Sequence, residues 1–168
     1  RLLLIMTGAC AVHCRYCFRR HYPYDTHRYD AHMLDHVRDY VAQHPEVNEI
    51  ILSGGDPLML SDAPLLTILQ ALSDIPQITR LRLHTRLPIV IPQRITETLV
   101  HGLQSLDTPC VMVLHANHAN EIDTEVVRAM RALRQADVWL LNQAVLLHRI
   151  NDSAEAQIAL AETLFAAG

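Results

Sequence analysis

Five short apolar runs separated by segments of helical period recur at intervals of about 30 residues, and this alternation constrains the fold more than any other feature of the chain. Strands covered on both faces read as near-continuous apolar runs, and a strand–helix repeat returns each strand parallel to the one before. Residues 2–6 are the first run. A helix is expected over residues 30–43, placing Met33, Leu34, Val37, Tyr40 and Val41 on one face, with Pro45 beyond its end. Residues 49–52 are the second strand, running into Ser53-Gly54-Gly55-Asp56-Pro57, where glycine lets the backbone bend or approach a ligand closely. Ser61 is the expected N-cap of a helix carrying Leu65, Leu66, Ile68, Leu69 and Leu72, with Pro64 in its first turn and Pro76 closing the segment.

Residues 78–84 read as the third strand, followed by Thr85-Arg86-Leu87-Pro88, and Thr96 opens a helix bearing Leu99, Val100, Leu103 and Leu106. The fourth strand, residues 111–114, runs into the polar segment 115–121, after which Asp123 caps a helix built on Val126, Val127, Met130 and Leu133. Residues 138–141 are the fifth strand, leading into Asn142-Gln143, and a last helix spans 155–166 with Asp152 or Ser153 as its cap. The expected fold class is therefore α/β, five βα units in a parallel sheet, with residues 1–168 as one domain and no linker or repeat motif. In such folds the loops after the strands converge on one face, so the polar segments should share one mouth.

Net charge is −4 and half of the residues are hydrophobic, an ordinary globular balance that argues against a nucleic-acid partner. No apolar run approaches the ~18 to 20 residues of a membrane span, and the start lacks the plan of a signal peptide. The default expectation is a cytoplasmic protein with no membrane partner. All 14 basic residues are arginine, so no lysine Schiff base can form within this chain. Four cysteines in such a chain point to metal binding rather than disulfides. Cys110, alone in an apolar strand, is expected to be core.

The other three, Cys10, Cys14 and Cys17, follow the first strand at C-x3-C-x2-C spacing, with Arg15, Arg19 and Arg20 interleaved. Three thiolates are one too few for a closed zinc site or a fully protein-ligated four-iron cluster. Zinc completed by His13 or His21 is one reading. A four-iron four-sulfur cluster whose fourth iron takes an outside ligand is the other.

Cys10 to Cys17 with aromatic Tyr16 before the last cysteine, and Gly54-Gly55-Asp56 after the second strand, resemble the radical S-adenosylmethionine (radical SAM) superfamily. That resemblance implies a partial parallel (βα) barrel, here five βα units of an expected six, holding a 4Fe–4S cluster and S-adenosylmethionine. Ser53, Gly54, Gly55 and Asp56 would receive the methionine amino group, although the same residues could be only a turn. Five further segments are similar to the lysine 2,3-aminomutase family: 14–20, 53–58, 86–96, 118–121 and 141–147. Cys10-Ala11-Val12 and residues 18–24 are closest to the bacterial branch that makes (R)-β-lysine for modification of elongation factor P. Fermentative members usually carry Thr where Phe18 stands.

By this resemblance Arg19 faces the substrate carboxylate, a task suited to a bidentate guanidinium, although it could be a surface charge. Tyr16 flanks the nucleoside. His115 and Gln143 contact S-adenosylmethionine or position loops, and Arg86 holds a carboxylate or phosphate or serves the structure. The resemblance also implies pyridoxal phosphate, lysine as substrate, an electron donor such as a flavodoxin or ferredoxin, and a homo-oligomer. The family's anchoring lysine and substrate aspartates have no counterpart here. The chain begins in a strand and stops at Gly168, a good helix C′ residue, and is expected to be a core domain cut at both ends. The alternatives are a glutamate or arginine aminomutase, or a non-catalytic zinc or cluster module.

Overall fold

The computed structural model describes residues 1–24 and 32–168. Five strands form one sheet: β1 (Leu2–Thr7), β2 (Glu49–Gly54), β3 (Arg80–Thr85), β4 (Cys110–Leu114) and β5 (Trp139–Asn142). All four pairings are parallel and the spatial order is the sequence order. The sheet is open, as expected for a partial barrel.

Register explains the two faces. Leu4, Leu52, Leu83, Met112 and Leu140 stand side by side across the sheet. The first four are buried, and Leu140 packs against the same core. On the opposite face the adjoining row is Leu3, Ile51, Arg82, Val111 and Trp139. Alternation along each strand separates the rows, because successive side chains of a strand point to opposite faces.

The helix side is covered by α1 (Met33–Gln43), α2 (Asp62–Ser73), α4 (Glu97–Gln104), α5 (Thr124–Gln135) and α6 (Ala154–Ala167), with a one-turn α3 (Leu87–Val90) after β3. Leu65, Leu69, Leu99 and Leu133, all fully buried, bind this layer to the sheet. Burying such a side chain contributes about 1.5–3 kcal/mol. Caps fix where the helices begin. Asp123 accepts from the Glu125 and Val126 amides, Thr96 from Leu99, and Ser153 rather than Asp152 caps α6, accepting from Ala156.

Four details differ from the sequence reading. Asp30, the expected start of the first helix, lies outside the described residues, as does His27. The third strand starts at Arg80 rather than at residue 78, although the Thr79 amide and hydroxyl both donate to the Asn48 carbonyl just before it. Ser61 occupies the N-cap of α2 but its side chain makes no capping bond. The short α3 was not foreseen: Pro88 sits in its first turn, where its missing N–H costs nothing.

At the opposite end of the sheet from the loops, Glu49 is fully buried beneath three arginines. It accepts from Arg80 Nε at 2.8 Å and Arg82 Nε at 2.9 Å, and pairs with Arg1 Nε at 2.7 Å. Burial alone would raise its pKa. The Arg82 and Arg80 bonds outweigh that and hold the carboxyl below its ordinary value.

Candidate functional site

A cavity of about 750 Å³ opens at the C-terminal ends of the strands, walled by the cysteine loop and the loops after β2 to β5. All nine sequence-derived site residues and all three clustered cysteines line it. The expected common mouth is therefore present.

The cysteine loop is built of successive turns. Cys17 N donates to Cys14 O at 3.1 Å, Arg20 N to Cys17 O at 3.4 Å, and Tyr22 N to Arg19 O at 3.0 Å. Its base is fastened to the glycine segment: Gly55 N donates to Thr7 O at 2.6 Å and Asp56 N to Ala9 O at 2.9 Å. A methyl group on Gly55 would lie 2.2 Å from the Ala9 carbonyl oxygen. Gly54 has φ +122°, open chiefly to glycine, and a Cβ there would meet Thr7 O at 2.6 Å. Backbone contact with the cysteine loop is thus one reason for glycine at both positions.

Asp56 is 4% exposed and its carboxylate is engaged from three sides. Oδ1 accepts from Thr85 Oγ1 at 2.7 Å and Leu58 N at 3.0 Å, and Oδ2 from Arg86 N at 2.8 Å. Burial raises its pKa despite these bonds. Arg19 reaches over the same segment, donating through Nη1 to Ser53 Oγ at 3.1 Å and Gly54 O at 3.5 Å. Tyr24 OH also donates to Gly54 O, at 2.9 Å.

Tyr16 joins the cysteine loop to the far wall. Its hydroxyl accepts from Asn117 Nδ2 at 2.6 Å and from Arg86 Nη1. Arg86 Nη2 pairs with Glu121 Oε2 at 2.5 Å, and Glu121 Oε1 accepts from the Asn117 and His118 amides at 2.7 and 3.0 Å. Asn117 Oδ1 accepts from Val145 N at 2.8 Å, and the fully buried Asn151 donates to Asn117 O at 2.7 Å and Val145 O at 2.9 Å. Loops after β1, β3, β4 and β5 are thereby tied together.

His115 and His84 meet edge to face with centroids 5.8 Å apart, and a Gln143 side-chain bond reaches His84. Burial, the neighbouring His84 and Arg86 push the His115 pKa down to about 4. His115 Nε2 and Arg86 Nε are both buried with no hydrogen-bond partner among the described residues. Two unsatisfied nitrogens on the wall of one cavity suit a polar ligand. His115 also predicts a pH dependence. Its folded pKa lies below the unfolded value, so the unfolded state takes up a proton first, and stability is lost as pH falls from about 6.5 toward about 4. Discounted for partial solvent access, the loss is about 2–3 kcal/mol. Denaturant titrations at neutral and mildly acidic pH check it, and His115→Gln should flatten that part of the profile.

The donor set fits an iron–sulfur cluster. Burial above all, and then Asp56, Cys17 and Cys14, push the Cys10 pKa up to about 11, so this thiol stays protonated until a bound cation favours its thiolate. Among the described residues no three His, Cys, Asp or Glu gather as a group that could hold a metal ion. The three cysteines nonetheless share one short loop on the cavity wall, and the thiolates of a cluster sit on separate irons. Cys110 is core as expected, 4% exposed, with burial pushing its thiol up to about 12.

Sequence reasoning passed over His84, Asn117, Glu121 and Asn151. Glu121 lay in the family-like segment 118–121 without a role assigned to it, and the others had only position as a signal: His84 and Asn117 near the ends of β3 and β4, and Asn151 just before α6.

An open parallel sheet with a trithiol loop over the end of its first strand is the scaffold of an iron–sulfur protein that leaves one metal position for a ligand. The chain belongs to the radical SAM superfamily, whose family model matches residues 4–160. It is 50% identical over 168 residues to the L-lysine 2,3-aminomutase of Escherichia coli (strain K12), covering 100% of this chain and 49% of that protein. To the protein of the same name from Haemophilus influenzae it is 48% identical over 168 residues, 100% and 50% covered. To the glutamate 2,3-aminomutase of Clostridioides difficile it is 38% identical over 154 residues, 90% and 36% covered. The chain spans about half the length of the curated relatives it matches. Radical SAM membership with aminomutase relatives implies a 4Fe–4S cluster, S-adenosylmethionine and pyridoxal phosphate. The residues present fit the first two. With no lysine in the chain, they offer pyridoxal phosphate no Schiff-base anchor. Among the described residues, no helix is long and apolar enough to cross a membrane.

Proposed function

We propose that this chain is the S-adenosylmethionine-cleaving core of an L-lysine 2,3-aminomutase that makes (R)-β-lysine for modification of elongation factor P. The observation that carries the reading is the three-cysteine loop fastened to Gly55 and Asp56 in a chain 50% identical to a lysine 2,3-aminomutase. Lysine is favoured over glutamate by 50% against 38% identity.

When bound, the cluster and S-adenosylmethionine supply one-electron cleavage of a carbon–sulfur bond and hydrogen-atom abstraction, and pyridoxal phosphate supplies amine migration. The chain's own residues hold and orient. Cys10, Cys14 and Cys17 bind iron. The Ser53 to Asp56 segment, with Arg86, His115 and Gln143, forms the polar wall for S-adenosylmethionine, and Tyr16 flanks its nucleoside. His115, its pKa held near 4, is neutral at physiological pH and offers Nε2 as donor or acceptor without bringing a charge. Arg19 receives the substrate carboxylate through its guanidinium fork. The cavity walls exclude water from the reacting atoms.

Anaerobic reconstitution with iron and sulfide tests the reading. A visible chromophore that bleaches with dithionite, and 5′-deoxyadenosine from added S-adenosylmethionine, are the expected results. Tight zinc uptake with no iron chromophore overturns it. Having no lysine to anchor pyridoxal phosphate, these 168 residues alone should yield no β-lysine. In a full-length aminomutase carrying this core, Arg19→Lys keeps the charge and loses the fork. The KM for lysine is then expected to rise about 10- to 100-fold, the worth of a lost hydrogen bond to a charged group. Steady-state kinetics at saturating S-adenosylmethionine check this.

A further inference from the structure

On the cavity face of the sheet, Ile5, Ser53, His84, Val113 and Leu141 form one row across the strands, the register running on from Leu52 beside Leu83 to bring Ser53 next to His84. Ser53 and His84 are the only polar side chains of that row, and both line the cavity. In the row beneath, Arg82 is committed to Glu49. His84 is thus the innermost polar side chain of the cavity wall that is not spent on an ion pair. It is half-buried, its ring meets His115 edge to face, and a Gln143 side-chain bond takes up one ring nitrogen. An amide can donate or accept, so the second ring nitrogen can carry the proton and present it to the cavity. Arg19 comes to the same place from the cysteine loop. Its Nη1 donates to Ser53 Oγ at 3.1 Å, on the strand next to His84. Burial above all, then Arg82 and more weakly Arg19, hold the His84 pKa below the ordinary histidine value. A neutral imidazole therefore stands near a guanidinium.

We propose that His84 is a second anchor for the carboxylate of the amino acid substrate, donating a ring N–H to the group that Arg19 holds. The inference rests on the lysine 2,3-aminomutase reading above, with Arg19 as its carboxylate site. A carboxylate offers about four lone-pair positions, more than one guanidinium fork fills, and inside a cavity those left over are costly unless another donor reaches them. His84 supplies such a donor from the strand beside the one that Arg19 contacts. Its neutrality matters: a second cation next to Arg19 would be repelled, whereas an uncharged N–H adds a hydrogen bond without that cost. Ser53 cannot take the part as readily, because its hydroxyl already accepts from Arg19.

The test pairs a substitution in the protein with a deletion in the ligand, in a full-length aminomutase carrying this core. Cadaverine, which is lysine without its carboxylate, serves as a competitive inhibitor. In His84→Ala the KM for lysine should rise about tenfold, the worth of a hydrogen bond to a charged group, with kcat changed far less. The Ki for cadaverine should stay within about twofold of wild type, because the contact that His84 makes is absent from that ligand. Iron per chain and the thermal midpoint are read beside the kinetics. If His84→Ala fails to load iron, His84→Leu, which fills the space without a polar atom, carries the same comparison. A lysine KM that does not move overturns the anchor, and so does a cadaverine Ki that rises in step with it, since that pattern belongs to a general loosening of the cavity. Failure of the unsubstituted enzyme, supplied with its cofactors, to form β-lysine would instead overturn the aminomutase reading itself.

Discussion

Cys14→Ser is expected to abolish both the iron chromophore and 5′-deoxyadenosine formation while leaving the fold intact. The loop supplies three thiols and no fourth, so removing one leaves two protein ligands for a cluster that already gives one iron to an outside molecule. Cys14 is only partly buried and lies outside the hydrophobic core, so the thermal midpoint of the apoprotein should barely move. Cys110→Ala should behave in the opposite way. That thiol is buried between strands, and its loss costs about 1–2 kcal/mol as a small core cavity with no change in iron content. Iron and sulfide per chain, read beside a denaturant midpoint, separate the ligand thiol from the core thiol. An iron-loaded, active Cys14→Ser protein would remove the triad from the metal site.

Gly55→Ala is the second large effect. The added methyl would stand 2.2 Å from the Ala9 carbonyl oxygen and 2.8 Å from the Gly8 carbonyl carbon. Both obstacles are backbone, so the cysteine loop must shift as a unit, stretching the Gly55–Thr7 and Asp56–Ala9 hydrogen bonds. A destabilisation of about 2–4 kcal/mol and a clear loss of iron loading are expected. Gly102→Ala in α4 is the control. The three atoms nearest its methyl would all belong to the Leu66 side chain, the closest at 2.4 Å, and a leucine can change rotamer. Alanine also favours a helix interior by about 1 kcal/mol over glycine. Iron loading in Gly102→Ala should match wild type. Equal iron loss in both variants would show that the Gly55 contact has no special bearing on the metal site.

The framework of the fold was legible because burial writes a period into the chain. Leu4, Leu52, Leu83 and Met112 fall in apolar runs that only a covered sheet uses, and Leu65, Leu69 and Leu72 fall at helical spacing. The cysteine loop was legible for a different reason: its ligands lie close together in sequence, so spacing alone carries the chemistry. The Tyr16 network was not legible. Arg86 lies 70 residues and Asn117 101 residues from Tyr16. What brings them together is the register of three strands, which no local window contains. Asp56 shows the same limit. Its place in a glycine motif pointed to a ligand, but only the structure reveals that Thr85, Leu58 and Arg86 already hold its carboxylate.

The Tyr16–Asn117 bond has a meaning in chain entropy as well as in geometry. Closing a 101-residue loop costs only about 1 kcal/mol more than closing one of roughly 30 residues, because the cost grows with the logarithm of length. Within the folded sheet even that difference vanishes, since strand pairing by itself holds the ends of β1, β3 and β4 near one another. The cysteine loop therefore inherits its order from the sheet. Conditions that unpair β3 and β4 take the Arg86 and Asn117 anchors away from the iron-binding loop at the same time, so the loop keeps its place only while the strands beneath it keep theirs.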